Sequence, residues 1–111
     1  MPLAQQCCEA CQTGSHQVKE KQAFELLKEI PQWKIQTVDG IHQLHRGYDF
    51  GNFNQAMAFA NAVAKIADAA DHHPTLVVEW GKVGVRWWTH KIKGLHRNDF
   101  IMAARTDALY P

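Results

Sequence analysis

The stretch PTLVVEWGKVGVRWWT at residues 74–89 decides the fold. Leu76 to Trp80 and Val83 to Thr89 are runs of β-branched and aromatic residues, and Gly81-Lys82 between them suits a two-residue hairpin turn. Upstream, Trp33 and Ile35 alternate with Lys34 and Gln36, Asp39-Gly40 supplies a pair that tolerates positive φ, and Ile41 to Tyr48 forms a return strand. Two hairpins are therefore expected, separated by a segment of helical period.

That segment opens at Asn52, with Gln55 three positions on as in a capping box, and runs to about Ala70. Its apolar residues, among them Phe53, Met57, Phe59, Val63 and Ile66 with many alanines, surround most of the circumference. Either a subunit interface covers the surplus or the alanines tolerate partial exposure. Ala23, Leu26, Leu27 and Ile30 mark one face of an earlier helix from about Val18 to Ile30, which Pro31 stops. After Gly94 a last helix runs from about Arg97 to Leu109, with Asp99 in its first turn, where a carboxylate suits the dipole and can accept a bond from the backbone near His96. The order helix, hairpin, helix, hairpin, helix gives an α+β fold, a four-stranded antiparallel sheet with the helices packed on one face. The other sheet face is left to solvent or to an oligomer.

At 111 residues, 46% of them hydrophobic, the chain suits one domain at residues 17–111 behind a flexible, polar amino-terminal tail at 1–16. A net charge of +1 is not the footprint of a nucleic-acid binder. No apolar run approaches a membrane span and no signal peptide is evident, so the expected setting is the cytoplasm with no membrane partner. Cys7, Cys8 and Cys11 crowd into the tail and make a poor disulfide framework. They read as reduced thiols, since a second pair of zinc ligands at the usual spacing is missing.

Chemistry concentrates in Asp68, Asp71, His72, His73 and Pro74, followed at a distance by His90. Histidine titrates near neutrality, so such a cluster can give and take protons without extreme tuning. Asp68 and His72 stand four apart at the end of the middle helix, which lets the carboxylate orient the ring, and Pro74 drives His73 into extended geometry. Strand parity places Trp88 and His90 on one side and Trp87 on the other, while Trp80 and Trp87 are assigned to packing. No metal-binding spacing of the H-E-x-x-H kind appears.

Taken together, Asp68-x-x-Asp71-His72-His73-Pro74, Trp80, Trp88-Thr89-His90, Gly94-Leu95 and Asp99 resemble the signature of the pterin-4a-carbinolamine dehydratases, over roughly Val18 to Tyr110. The resemblance implies a hydro-lyase that dehydrates 4a-hydroxytetrahydropterin to quinonoid dihydropterin and water, recycling the pterin used in aromatic amino-acid hydroxylation. Pterin is then the substrate and no cofactor or metal is needed. On the same resemblance His72, His73 and His90 are the catalytic residues, while Asp68, Asp71, Trp88 and Thr89 bind substrate. Position 68 is more often glutamate in that family, and His96 stands where a threonine often caps the last helix. The family further implies a homo-oligomer, dimer or tetramer, and a functional link to phenylalanine hydroxylase. The alternative is a non-catalytic module that regulates a hydroxylase or a transcription factor through the middle helix.

Overall fold

In the computed structural model, which describes residues 2–6 and 17–111, the chain runs α1 (Glu20–Leu27), β1 (Lys34–Val38), β2 (Ile41–Asp49), α2 (Phe53–Ala70), β3 (Thr75–Glu79), β4 (Lys82–Trp87) and α3 (Arg97–Leu109). Short 3-10 turns cover Leu3–Gln5 and His90–Ile92. All neighbouring strands are antiparallel in the order β1-β2-β4-β3.

Register fixes which side chains share a face, because residues directly opposite on antiparallel strands point the same way. Leu44 lies opposite Trp87, Tyr48 opposite Val83, and Val83 opposite Val78, so these residues, together with Val85 and Leu76, make the inner face. Helices α2 and α3 pack against it, and α1 adds Ala23, Leu26 and the following Ile30 to the same core. The opposite face carries Lys34, Gln36, His45, Asp49, Lys82, Arg86 and Glu79 around Gly47 and Gly84.

The sequence places the second turn one residue too late. Trp80 and Gly81 form it, and Lys82 already pairs with Glu79. Gly81 takes φ of 73°, a conformation costly to any residue with a Cβ, and its carbonyl accepts from Phe50 N at 2.8 Å. The turn therefore centres on the glycine and lifts Trp80 into solvent at 74% exposure, so Trp80 is no packing residue, whereas Trp87 is fully buried. At the other hairpin Asp39 and Gly40 both hold positive φ, as expected of this pair.

Helix α1 is shorter than its apolar period. Val18 N bonds to Leu95 O at 2.8 Å and leaves the helix, while Glu29 and Ile30 donate to carbonyls only three residues back, a tightened last turn ahead of Pro31. Helix α2 keeps its expected cap, with Gln55 N donating to Asn52 Oδ1 at 2.8 Å.

Residues 3–5 depart from the expected loose tail. Leu3 is buried, Arg105 donates to Ala4 O and Gln6 O, and Arg97 donates to Gln6 Oε1 through Nε at 3.0 Å and a terminal nitrogen at 2.8 Å. This 3-10 turn packs on α3, so α3 has protein on both sides and buries Asn98 through Ala103. Cys7, Cys8, Cys11 and His16 lie outside the described residues.

At the carboxyl end of α3, Asp107 Oδ1 accepts from Trp33 Nε1 at 2.9 Å, from Arg46 at 2.7 Å and from the Tyr48 hydroxyl. Burial first, then the hydrogen bond and charge of Asp107, pushes the Tyr48 phenol far above its usual range, so it stays a donor. The guanidinium of Arg46 lies 4.2 Å from the centre of the Tyr48 ring.

Candidate functional site

The site begins with the way α2 stops. Asp71 adopts φ of 51°, Asp71 N donates to Asp68 O and His72 N to Ala67 O, the paired bonds of a Schellman end. Aspartate is one of the few side chains that visit this left-handed region readily. The chain reverses there, and His72 turns into the protein while His73 stays exposed.

Inside, His72 Nε2 meets Asp99 Oδ1 at 2.6 Å. Asp99 is fully buried, and its other oxygen accepts from Thr89 Oγ1 at 2.8 Å and from His96 N at 2.8 Å. A buried carboxylate needs hydrogen-bond partners in place of water, and three converge on it. The His72 ring also lies nearly parallel to the Trp87 indole, at 14° and 5.6 Å between centroids. Trp87 is itself pinned, since its Nε1 donates to Thr106 Oγ1 at 3.1 Å and Thr106 donates on to Met102 O. A carboxylate on one side and a fixed ring over its face thus set the plane of His72.

The expected pairing of Asp68 with His72 does not form. Asp68 instead bonds His73 Nε2 at 3.0 Å on the surface, because the Schellman reversal swings His72 away from its own helix towards α3. The partner of His72 is Asp99, whose place in the first turn of α3 points by itself only to a helix cap. It is that as well. His96 Nδ1 accepts from Asn98 N at 3.0 Å and Asp99 takes His96 N, so the box closes with histidine where the family often has threonine.

Beyond β4, Thr89 bridges to Gly94, and the intervening 3-10 turn starts at His90 and ends at Lys93 with φ of 50°. His90 is exposed and stacks on Trp88 with centroids 3.9 Å apart and planes 16° from parallel, as their shared parity leads one to expect. His73 and His90 are each the chain neighbour of a group bound to Asp99, His72 and Thr89 respectively. Asp71 is exposed at the helix end. Among the described residues no group of three or more His, Cys, Asp and Glu side chains could hold a metal ion, and no helix is long and apolar enough to cross a membrane.

The arrangement offers one buried imidazole held by a carboxylate, an exposed imidazole on the next residue along the chain and another on the residue after Thr89, each a group that can donate or accept a proton. Residues 16–109 match the family described as pterin 4 alpha carbinolamine dehydratase. Proteins of Saccharophagus degradans and Marinobacter nauticus, each provisionally named pterin-4-alpha-carbinolamine dehydratase, are 55% identical over 108 residues, covering 97% of this chain and 96% and 97% of theirs. The crystal structure of a transcriptional coactivator/pterin dehydratase from Brucella melitensis superposes with a TM-score of 0.77 at 29% identity, over 86% of this chain and all of that one. A pterin dehydratase-like protein identified as a RuBisCO assembly factor in the alpha-carboxysome gives 0.59 at 26% identity, over 69% of this chain and 87% of that one. The chain belongs to the pterin 4 alpha carbinolamine dehydratase family.

Proposed function

We propose that the protein is a hydro-lyase that converts 4a-hydroxytetrahydropterin to quinonoid dihydropterin and water. In this reaction the C4a–O bond breaks, the departing hydroxyl takes a proton to leave as water, and N5 loses its proton as its electron pair forms the C4a=N5 double bond. One group must give a proton and another must take one. In this reading His72 and His90 serve the hydroxyl, and His73 binds the pterin or receives the N5 proton. Asp99 holds His72, and Asp68 holds His73. Asp71, Trp88 and Thr89 complete the pterin-binding surface.

The observation that carries the reading is the fully buried Asp99 joined to both His72 and Thr89, which ties the segment before β3 to the segment after β4. Such a carboxylate orients an imidazole and stabilises its protonated form during turnover. No cofactor or metal takes part, and the natural role is pterin recycling beside phenylalanine hydroxylase in the cytoplasm, with no direct contact to nucleic acid or membrane. The exposed part of α2, which includes Phe53, Ala58 and Ala64, is the seam of a dimer or tetramer in this reading. The test couples purified protein to a pterin-dependent hydroxylase and follows decay of the carbinolamine. Acceleration proportional to added protein supports the reading, and decay at the uncatalysed rate overturns it.

The structural similarity to a RuBisCO assembly factor favours a second reading, a non-catalytic binding protein built on the same fold. Protein that leaves carbinolamine decay unchanged while binding a partner through α2 would establish it.

A further inference from the structure

The outer face of the sheet breaks a rule that its own edge obeys. Asp49, Lys82 and Glu79 lie opposite one another on β2, β4 and β3, a row of alternating sign. The row of Lys34, His45 and Arg86 on β1, β2 and β4 is cationic from end to end save for the imidazole, with Thr75 of β3 beside Arg86. Lys34 and Arg86 lie on either side of the same imidazole, so neither has a carboxylate opposite it to balance its charge. None of Lys34, Lys82 and Arg86 forms an ion pair with a carboxylate among the described residues.

Between the two rows the floor is backbone. Gly47 and Gly84 are direct partners and carry no Cβ, while Val77 of β3, opposite Gly84, walls the outer end of the row with its Cβ 3.9 Å from where a Gly84 Cβ would stand. The Lys82 side chain leans over this floor: a Cβ at Gly47 would come within 3.0 Å of Lys82 Cε and 3.7 Å of its ammonium nitrogen. A Cβ at Gly84 would lie 3.9 Å from His45 Nε2. An ammonium and an imidazole nitrogen thus approach the glycine pair from its two sides, with Arg86 and Lys34 in the row behind.

We infer that this glycine-floored depression is an oxyanion site, fitted to a phosphate group held by Lys34, Lys82 and Arg86 with His45 as the protonatable fourth donor. Complementary charge selects the occupant, and a dianion removes the repulsion along the row. Burial first, then the charges of Arg86, Lys82 and Lys34, holds the His45 imidazole below its ordinary range. Asp49 and Glu79 lie directly opposite Lys82 on its two neighbouring strands and set the boundary of the site. A bound phosphate reverses the balance at His45 and draws a proton onto it. The site is independent of the dehydratase reading.

Inorganic phosphate and phenyl phosphate, titrated separately at constant ionic strength while the His45 ring resonances are followed by NMR, provide the test. The expected result is saturation with either probe and a shift of His45 towards the protonated form, the tighter probe showing whether free or esterified phosphate is preferred. Replacing both Lys82→Gln and Arg86→Gln should weaken binding at least tenfold, Lys82→Arg should retain it, and Lys28→Gln on α1 should leave it unchanged. Linear shifts equal to those given by sodium chloride, or unchanged affinity in a folded double variant, overturn the inference. If the double variant does not fold, the Lys34→Gln variant, expected to weaken binding several-fold, decides the matter in the same way.

Discussion

Asp99 joins two roles in one side chain. Its Oδ2 closes the cap of α3 while its Oδ1 holds His72. Changing Asp99→Asn keeps an oxygen for one set of donors and removes the charge, so α3 should persist while carbinolamine dehydration slows by about 10²-fold or more. Circular dichroism and stopped-flow rates on the same preparation separate the two effects. A second prediction concerns His45. Its folded-state affinity for protons is depressed below the ordinary value of 6.5, so the unfolded chain protonates first as the pH falls. Its contribution to stability is therefore complete above that value and declines as the pH drops below it. The difference in melting temperature between His45→Gln and wild type should shift in favour of the variant between about pH 7 and pH 5, and a constant difference contradicts this.

Among elements, hairpins and helices follow from short-range physics that the sequence displays openly. Asp39-Gly40 forms the first turn and Arg97 to Leu109 is helix α3 as its pattern indicates. What escaped depends on contacts distant in sequence. The Gly81 turn is fixed partly by Phe50, the reversal after Asp71 sends His72 to α3, and the 3-10 turn at Leu3 has meaning only against Arg97 and Arg105. Each pairs residues whose separation along the chain hides their meeting. Gly81→Ala must accept a positive φ and a Cβ 3.1 Å from Phe50 O, so a loss of about 1–2 kcal/mol in urea denaturation is expected. Leu3→Ala should cost about 2–3 kcal/mol in the same measurement, because the leucine is nearly fully buried, whereas a free tail would lose nothing.

In the whole molecule the sheet separates two chemistries. The inner face carries the core and, through Trp87, the ring beneath His72, while the outer face carries the unbalanced cations. The histidine pattern, read together with Asp99 and the order of helices and hairpins, was enough to name the family from sequence, yet not to tell which carboxylate serves which ring. The α2 seam leads to a prediction of its own: light scattering should give a mass of two or four chains, and Ala64→Glu on the exposed side of α2 should lower it to one. A monomeric wild type contradicts the seam.

The most direct measurement of the central claim is the decay of freshly generated 4a-hydroxytetrahydropterin, followed by stopped-flow absorbance with wild type, His72→Ala and His90→Ala. The predicted result is rapid catalysed loss with wild type and rates lower by about 10² to 10⁴ with each variant. Equal rates for all three proteins would contradict it.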